Sequence, residues 1–241
     1  MGKIHLLFKK EEIDEEKMKN HVAVVFDVLL ATSTITAGLH FGAKEVIPVR
    51  QGEEALKVAK GRNEDSFLLV GEYKGKTIDG FHAPQPLPLR DEVRGKSIIL
   101  STTNGTVAVR KASTATQVYI GSLLNGQAVA ERILEKHREE TIILICSGTD
   151  GSFCIEDFYG AGYLLDCLSE GGQQVWELTD AAQAALLFYQ ANRNRSEEIL
   201  QTSRVGQRIL GRGAETELSF VAQCGVLSII PYFDGKSIQV S

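Results

Sequence analysis

The stretch "HVAVVFDVLLATSTITAG", His21 to Gly38, is the clearest indication of the fold, because it passes from an apolar run through a short turn into a hydroxyl-rich segment. Its apolar segment, Val22–Phe26, is typical of a strand that is buried on both faces of a parallel sheet. The segment ends at Asp27, and hydroxyl side chains follow from Thr32 onward, where a helix would begin. Ser and Thr often begin helices, because their oxygens accept hydrogen bonds from free N–H groups. The stretch therefore predicts a strand, a turn and a helix.

Further apolar runs alternate with helical patterns along the chain, which is typical of an α/β protein. The predicted strands are 21–27, 45–49, 66–72, 96–102, 117–122, 141–147 and 226–233. The predicted helices are 33–43, 52–61, 125–137 and 157–168, with three more between 180 and 224. We therefore predict a three-layer α/β/α fold with a largely parallel sheet.

The order strand, helix, strand, helix, strand occurs twice, the second time about seventy residues after the first. The two segments share few identical residues, so the pattern fits a duplication and an ordinary doubly wound fold equally well. We predict a single domain over 1–241, which could consist of two related subdomains at about 1–90 and 91–241. On either interpretation, ligands are expected beyond the carboxyl ends of the strands.

Composition limits the function. With 26 basic and 31 acidic residues the formal net charge is −5, which argues against a nucleic-acid partner. No apolar stretch is long enough for a signal peptide or a membrane span, so we expect a cytoplasmic protein with no membrane partner. The cysteines include no C-x-x-C pair, which predicts buried free thiols rather than a zinc site or disulfides; they are Cys146, Cys154, Cys167 and Cys224.

The first candidate site is the turn after the first predicted strand. The carboxylate of Asp27 could hold Mg²⁺, which prefers one or two carboxylates together with phosphate oxygens. The hydroxyls of Thr32 and Ser33 and the N–H groups of the first helical turn could hold an anion. The alternative is ordinary helix capping. These residues alone favour neither interpretation.

A second candidate is "STTNGT", Ser101 to Thr106, at the end of another predicted strand. Gly105 would let the backbone approach an anion closely, and Asn104 would offer an amide donor. However, Asn-Gly before the alternating "TVAV" is also a typical hairpin turn. From these residues alone the hairpin is slightly favoured.

Two further strand ends carry acidic side chains. Glu72 precedes a loop that holds three of the five prolines, and it could be a second metal ligand or a general acid–base group. His82 in that loop is better explained as a packed residue. The segment "CSGTDGSFCIED" adds Glu156 and Asp157, which could bind metal or transfer protons, or could simply complement a helix dipole. A cysteine-dependent phosphatase is excluded, because Ser152 stands where the C-x₅-R loop requires arginine.

Six segments in order resemble the 2-phosphosulfolactate phosphatase family. They are "VVFDVLLATSTI", "GE" at 71–72, "STTNGT", "GSLLNGQAVA", "CSGTDGSFCIED" and "GRGAETELSFVAQCGVLSIIP". The resemblance implies a magnesium-dependent enzyme of coenzyme M biosynthesis that cleaves 2-phospho-3-sulfolactate to 3-sulfolactate and phosphate. It also implies that Asn104 and Gly105 belong to a phosphate loop rather than to a hairpin.

Three positions depart from the family pattern. Leu30 and Tyr73 stand where the family usually has arginine, and His82 stands where it has aspartate. Arginine matches phosphate and sulfonate oxygens better than other side chains. Two alternatives therefore stay open: a weakened family member that binds a small anion or a partner protein, and a phosphatase of another phosphorylated hydroxyacid.

The sequence thus predicts one site for a small phosphorylated, sulfonated acid, in a chain that could form a homo-oligomer. Asp27 and Glu72 are predicted to hold Mg²⁺, and whether Asp27 also attacks phosphorus is open. The catalytic candidates are Asp27, Glu72, Glu156 and Asp157. The substrate-binding candidates are Thr32, Ser33, Thr103, Asn104, Gly105, Thr106 and Thr149.

Overall fold

The computed structural model describes residues 2–171 and 176–241. The strands in these residues are β1 (Lys3–Leu7), β2 (Val22–Phe26), β3 (Glu45–Val49), β4 (Phe67–Tyr73), β5 (Lys76–Thr77), β6 (Ser97–Ser101), β7 (Gln117–Gly121), β8 (Thr141–Cys146), β9 (Glu177–Leu178), β10 (Pro231–Phe233) and β11 (Ile238–Val240). The α-helices are α1 (Glu15–Met18), α2 (Ala31–His40), α3 (Gly52–Ala59), α4 (Pro86–Leu89), α5 (Gly105–Lys111), α6 (Gly126–Lys136), α7 (Ile155–Glu170), α8 (Asp180–Ala191), α9 (Ser196–Thr202), α10 (Arg204–Leu210) and α11 (Glu215–Val221).

The α/β fold with a largely parallel sheet is confirmed. Strands β2, β3, β4, β6, β7 and β8 each begin and end within one residue of the prediction. The strand predicted at 226–233 is wrong over most of its length, because only Pro231–Phe233 pairs in the sheet. The prediction of three helices between 180 and 224 is also wrong, since the described residues there form α8 to α11. The prediction of buried free thiols holds except at Cys167, which is half-buried, and at Cys224, which is exposed.

The sheet has the strand order β5-β4-β6-β3-β11-β10-β7-β2-β8-β1-β9. Strands β4, β6 and β3 are parallel to one another, and so are β7, β2, β8, β1 and β9. The pairs β3–β11, β11–β10 and β10–β7 are antiparallel. Because the direction reverses at three successive pairs, the two parallel groups run in opposite directions.

The two predicted halves exchange their first strands. The first half supplies β2, β3 and β4, and the second supplies β6, β7 and β8. In the sheet, β2 lies between β7 and β8, while β6 lies between β3 and β4. Neither half therefore holds its three strands next to one another.

The segments that follow β2 and β6 meet, although the two strands are not neighbours in the sheet. Four strands separate β2 from β6, and in a flat sheet this would place them about 24 Å apart. The turn 102–104 spans only about 10 Å when extended. Yet a Cβ atom added to Gly105, just after β6, would lie 2.8 Å from Asp27 Oδ2, just after β2. The segments after β2 and β6 therefore converge despite this separation in the strand order.

Strand β2 is buried on both faces, as its sequence predicts. Val22, Val24 and Phe26 pack into one apolar cluster, and Ala23 and Val25 pack into another. Among the helices of residues 2–171 and 176–241, none has both the length and the apolar character that a membrane crossing requires.

Candidate active site

A cleft of about 900 Å³ opens where the carboxyl ends of β2, β4, β6 and β8 converge. Five predicted site residues line it: Asp27, Glu72, Thr103, Asn104 and Thr149. The remaining wall is formed by residues 29–31, Thr102, Asp150, the turn between β4 and β5, the loop at 83–85, and the segment from α10 to residue 214. The cleft is of a size that holds small organic ligands.

Asp27 is the buried carboxylate of the cleft. Its side chain accepts hydrogen bonds from the backbone N–H groups of Ala31 and Gly105, the first residues of α2 and α5. Burial, followed by the negative charges of Glu72 and Glu156, raises the pKa of Asp27 from 3.8 to about 7. The backbone donors oppose this rise, because they stabilise the ionised form. A negative charge on Asp27 is therefore held in position but poorly compensated.

Gly105 allows the start of α5 to lie close to Asp27 and to the start of α2. A Cβ atom at this position would lie 2.5 Å from Ala31 Cβ and 2.8 Å from Asp27 Oδ2, so any larger residue would push α5 away from α2. Since Gly105 begins a helix, the hairpin interpretation of Asn104-Gly105 is wrong. The "TVAV" segment that follows is helical because it packs its apolar side chains beside β3 and β2.

Glu72 orders the turn that follows β6. Its Oε1 accepts a hydrogen bond from Thr103 N at 2.6 Å, and its Oε2 accepts bonds from Thr103 Oγ1 at 3.1 Å and from Gly75 N at 2.6 Å. Thr103 Oγ1 in turn accepts a bond from Lys74 N at 2.8 Å. One carboxylate thus connects the turn after β4 with the turn after β6.

Asn104 is oriented by a lysine that the sequence did not indicate. Lys10 Nζ donates to Asn104 Oδ1 at 2.8 Å and pairs with Glu11 at 2.9 Å, although only 9% of Lys10 is exposed. The Nδ2 group of Asn104 consequently points toward Thr149 Oγ1, at 3.4 Å. Lys10 lies in "FKKEE", a charged run that is typical of a solvated surface, so its burial has no signal in the sequence.

The remaining predicted hydroxyls are buried and bond to the backbone. Asp27 N donates to Thr32 Oγ1 at 3.0 Å, and Ser33 Oγ donates to Val28 O at 2.8 Å. Thr102 N donates to Thr106 Oγ1 at 3.0 Å, which is the corresponding contact after β6. Thr32, Ser33 and Thr106 do not line the cleft. In this structure they stabilise the turns after β2 and β6 through these hydrogen bonds.

Glu156 and Asp157 lie in the first turn of α7, behind the cleft. Asp157 Oδ1 accepts a bond from Val28 N at 2.9 Å, and Oδ2 accepts one from Gly148 N at 3.1 Å. Asp157 therefore joins the turns after β2 and β8. Burial raises the pKa of both carboxyl groups, and for Asp157 the charges of Asp27 and Glu156 add to this. Neither residue lines the cleft.

The three departures from the family pattern occupy different environments. Leu30 lines the cleft, whereas Tyr73 does not and is 64% exposed. His82 also lies outside the cleft, with its Nδ1 3.7 Å from Glu92 Oε2. The structure adds two cleft residues that the sequence did not single out, Arg208 and Arg212. Arg212 belongs to the quoted segment "GRGAETELS", which was the available signal for it.

The donor set at Asp27 fits Mg²⁺. Within residues 2–171 and 176–241, no three His, Cys, Asp or Glu side chains are grouped so that they could hold a metal ion. Mg²⁺ does not need such a group, since it commonly binds one or two carboxylates and takes its other ligands from phosphate and water. Asp27 has carboxylate neighbours and forms none of the ion pairs found in the described residues. A bound cation would compensate its charge.

Comparison with known proteins identifies the family. A family model described as 2-phosphosulpholactate phosphatase matches residues 7–236. The chain is 38% identical over 238 residues to a probable 2-phosphosulfolactate phosphatase of Clostridium acetobutylicum, with 98% of this chain and 99% of that protein covered. A protein of the same name from Symbiobacterium thermophilum is 38% identical over 220 residues, covering 90% and 93% of the two chains. Because the match extends over nearly the whole sequence, this chain belongs to the 2-phosphosulfolactate phosphatase family of phosphoric monoester hydrolases.

Proposed function

We propose that this protein is a Mg²⁺-dependent phosphatase that hydrolyses 2-phospho-3-sulfolactate to 3-sulfolactate and phosphate. The observation that carries the proposal is the convergence of Asp27 with the Thr103-Asn104 turn in one cleft. The names of the relatives support the substrate. On this proposal the enzyme acts in the cytoplasm, on a metabolite of coenzyme M biosynthesis.

The phosphate would bind at the turn after β6. Asn104 Nδ2 is an amide donor whose direction is fixed by the bond from Lys10 to Oδ1. Thr149 lines the same part of the cleft and adds a hydroxyl group, whereas the hydroxyl proton of Thr103 is already donated to Glu72. Such preoriented donors stabilise phosphate charge without reorganising during the reaction.

Asp27 would hold Mg²⁺, with Glu72 close by. When bound, the metal would neutralise charge on the phosphate and orient the attacking group. Asp27 lies between the starts of α2 and α5, and 8% of the residue is exposed. Its carboxylate could alternatively attack phosphorus itself. Glu72 keeps the Thr103 turn in place through its three accepted hydrogen bonds.

A second candidate function is favoured by Leu30. This apolar side chain lines the cleft at a position where the family usually has arginine, whose guanidinium group would match sulfonate oxygens. The alternative is therefore a phosphatase of the same mechanism that acts on another phosphorylated hydroxyacid.

Phosphate release separates these functions. The purified protein is incubated with 2-phospho-3-sulfolactate, 2-phospholactate or phenyl phosphate, each in Mg²⁺ and in EDTA. We expect Mg²⁺-dependent release with the highest kcat/KM for phosphosulfolactate. A preference for phospholactate would support the alternative substrate. No release from any of the three, with a folded protein, would contradict the phosphatase proposal and favour an anion-binding role.

A further inference from the structure

One wall of the cleft is strongly basic. Lys74 and Lys76, in the turn between β4 and β5, line it together with Arg208 of α10 and Arg212 just beyond that helix. We call these four residues the basic wall. The two segments are adjacent, because a Cβ atom on Gly75 would lie 3.9 Å from Arg212 Nη2. The cleft thus joins a carboxylate-containing region to a region of concentrated positive charge.

The basic wall has no carboxylate partners of its own. None of the ion pairs found in residues 2–171 and 176–241 includes any of its four side chains. Other arginines of the chain do have partners: Arg193 pairs with Asp166, and Arg195 pairs with Glu198. In the basic wall, Lys74 Nζ instead lies over the ring of Tyr73, 5.5 Å from its centre.

Unpaired cations are unexpected in a chain whose acidic residues outnumber its basic ones, 31 to 26. Asp27, Glu72 and Asp150 also line the cleft, but the Glu72 carboxylate already accepts hydrogen bonds from the turns after β4 and β6. The positive charge of the wall is therefore available to an anionic ligand. Guanidinium groups present a planar set of donors that matches carboxylate and sulfonate oxygens.

The two arginines of the wall and the phosphate donors lie in different segments that line the same cleft. Asn104 is fixed by Lys10 and faces Thr149, whereas Arg208 and Arg212 come from the far C-terminal part of the chain. A substrate with phosphate at Asn104 and further acidic groups on neighbouring carbons could reach both. 2-Phospho-3-sulfolactate has such groups, a carboxylate and a sulfonate.

We propose that Arg208 and Arg212 determine specificity by binding the acidic groups of the substrate other than the phosphate. This inference rests on the proposed function and adds to it a substrate class, phosphorylated acids that carry at least one more anionic group. It also assigns to Arg208 and Arg212 a role that the apolar Leu30 cannot perform.

The test compares two substrates in Arg208→Gln, Arg212→Gln and the double variant. Arg50→Gln is the matched control, because Arg50 is exposed and does not line the cleft. For phosphosulfolactate we expect kcat/KM to fall by about tenfold to a hundredfold for each arginine. For phenyl phosphate, which has no second acidic group, we expect a change of less than about threefold. The control should leave both substrates unaffected.

Equal losses on both substrates would overturn the inference, since the arginines would then serve the phosphate or the fold. Unchanged kinetics on both would overturn it as well. A second measurement does not depend on turnover: binding of 3-sulfolactate by calorimetry. We expect the wild type and Arg50→Gln to bind it and the double variant to bind at least about tenfold more weakly. If wild type does not bind sulfolactate, the inference fails even if phosphate is released; if it binds without releasing phosphate, only the proposed function fails.

Discussion

At the scale of single residues, the properties of Asp27 follow from its neighbours. It is 8% exposed, and Glu72 and Glu156 place negative charge nearby. Two backbone N–H groups hold its carboxylate, but no basic side chain pairs with it among the described residues. Such an arrangement costs stability when the carboxylate ionises, and it is typical of sites that bind a cation or perform catalysis.

The first prediction concerns how this cost depends on pH. Below pH 3.8 the Asp27 carboxyl is neutral in both the folded and the unfolded chain. As the pH rises toward about 7, the unfolded chain loses this proton while the folded protein retains it, so the free energy of unfolding falls. Asp27→Asn lacks this titration. In EDTA, we expect the unfolding free energy of wild type minus that of Asp27→Asn to decrease by at least about 1 kcal/mol between pH 5 and pH 8.

Urea denaturation at four pH values measures this difference. The comparison uses the slope of the unfolding free energy against pH, which does not depend on any constant effect of the substitution on packing. Asp91→Asn is the control, because Asp91 is exposed and lies outside the cleft. Parallel pH profiles for wild type and Asp27→Asn would show that Asp27 ionises in its ordinary range.

The second prediction concerns the metal. If Mg²⁺ binds at Asp27, it compensates the buried charge and stabilises the folded state by mass action. We expect 10 mM MgCl₂, a concentration of the order at which weak carboxylate sites fill, to raise the Tm of wild type at pH 8. The Tm of Asp27→Asn in MgCl₂ should equal its Tm in Mg²⁺-free buffer of the same ionic strength. An identical Mg²⁺ response in both proteins would place the metal elsewhere.

At the scale of elements, the site depends on the contact between the starts of α2 and α5. These helices follow β2 and β6, the two exchanged strands, and Gly105 lies against Ala31 and Asp27. Glu72 and Asp157 then fix the flanking turns by accepting backbone hydrogen bonds. The cleft is therefore assembled by main-chain contacts as much as by its own side chains.

The third prediction tests this contact. Gly105→Ala should separate α5 from α2, and it should lower kcat by about a hundredfold, as displacements near 1 Å commonly do. Gly52→Ala is the matched control, since Gly52 also begins a helix. An added Cβ there would meet the flexible Ile78 side chain at 3.2 Å and Phe81 Cζ at 3.8 Å, an ordinary van der Waals contact. Kinetics are measured together with circular dichroism melts. Normal turnover in Gly105→Ala would show that the two helix starts do not need this spacing.

At the scale of the whole molecule, the exchange of β2 and β6 ties the two halves together. Strand β2 of the first half lies between β7 and β8 of the second, and β6 of the second half lies between β3 and β4 of the first. The fourth prediction is that urea unfolding is a single transition by both fluorescence and circular dichroism. The fragment 1–90 should be unfolded alone, because its β3 and β4 would lack β6 between them. Two resolved transitions, or a folded fragment, would contradict this.

Much of this architecture could be predicted from local pattern. The segments Val22–Phe26 and Glu45–Val49 are short apolar runs, which predict buried strands wherever they lie in the sheet. Strand β1, Lys3–Leu7, was missed because its polar Lys3 and His5 interrupt the apolar pattern and fit no continuous run. Strand order depends on contacts between distant segments, and periodicity within one segment carries no information about those contacts.

The site was predictable to a similar degree. Asp27 and Asn104 follow strands and Glu72 lies near the end of one, and their convergence was expected from these positions alone. Lys10 was not predictable, because only its contact with Asn104 distinguishes it from Lys9 beside it. Thr32 was expected to face a ligand, whereas its hydroxyl accepts a bond from Asp27 N. A hydroxyl at a helix start suits capping and anion binding equally, and only the three-dimensional arrangement decides between them.

The central claim is that Asp27 is the carboxylate on which phosphate release from phosphosulfolactate depends. The most direct test is kcat for Asp27→Asn at saturating Mg²⁺ and 2-phospho-3-sulfolactate, beside wild type and Asp91→Asn. We predict at least about a hundredfold loss for Asp27→Asn, as removal of a charged transition-state contact commonly causes, with Asp91→Asn unchanged. Turnover of a folded Asp27→Asn within a few-fold of wild type would contradict the account.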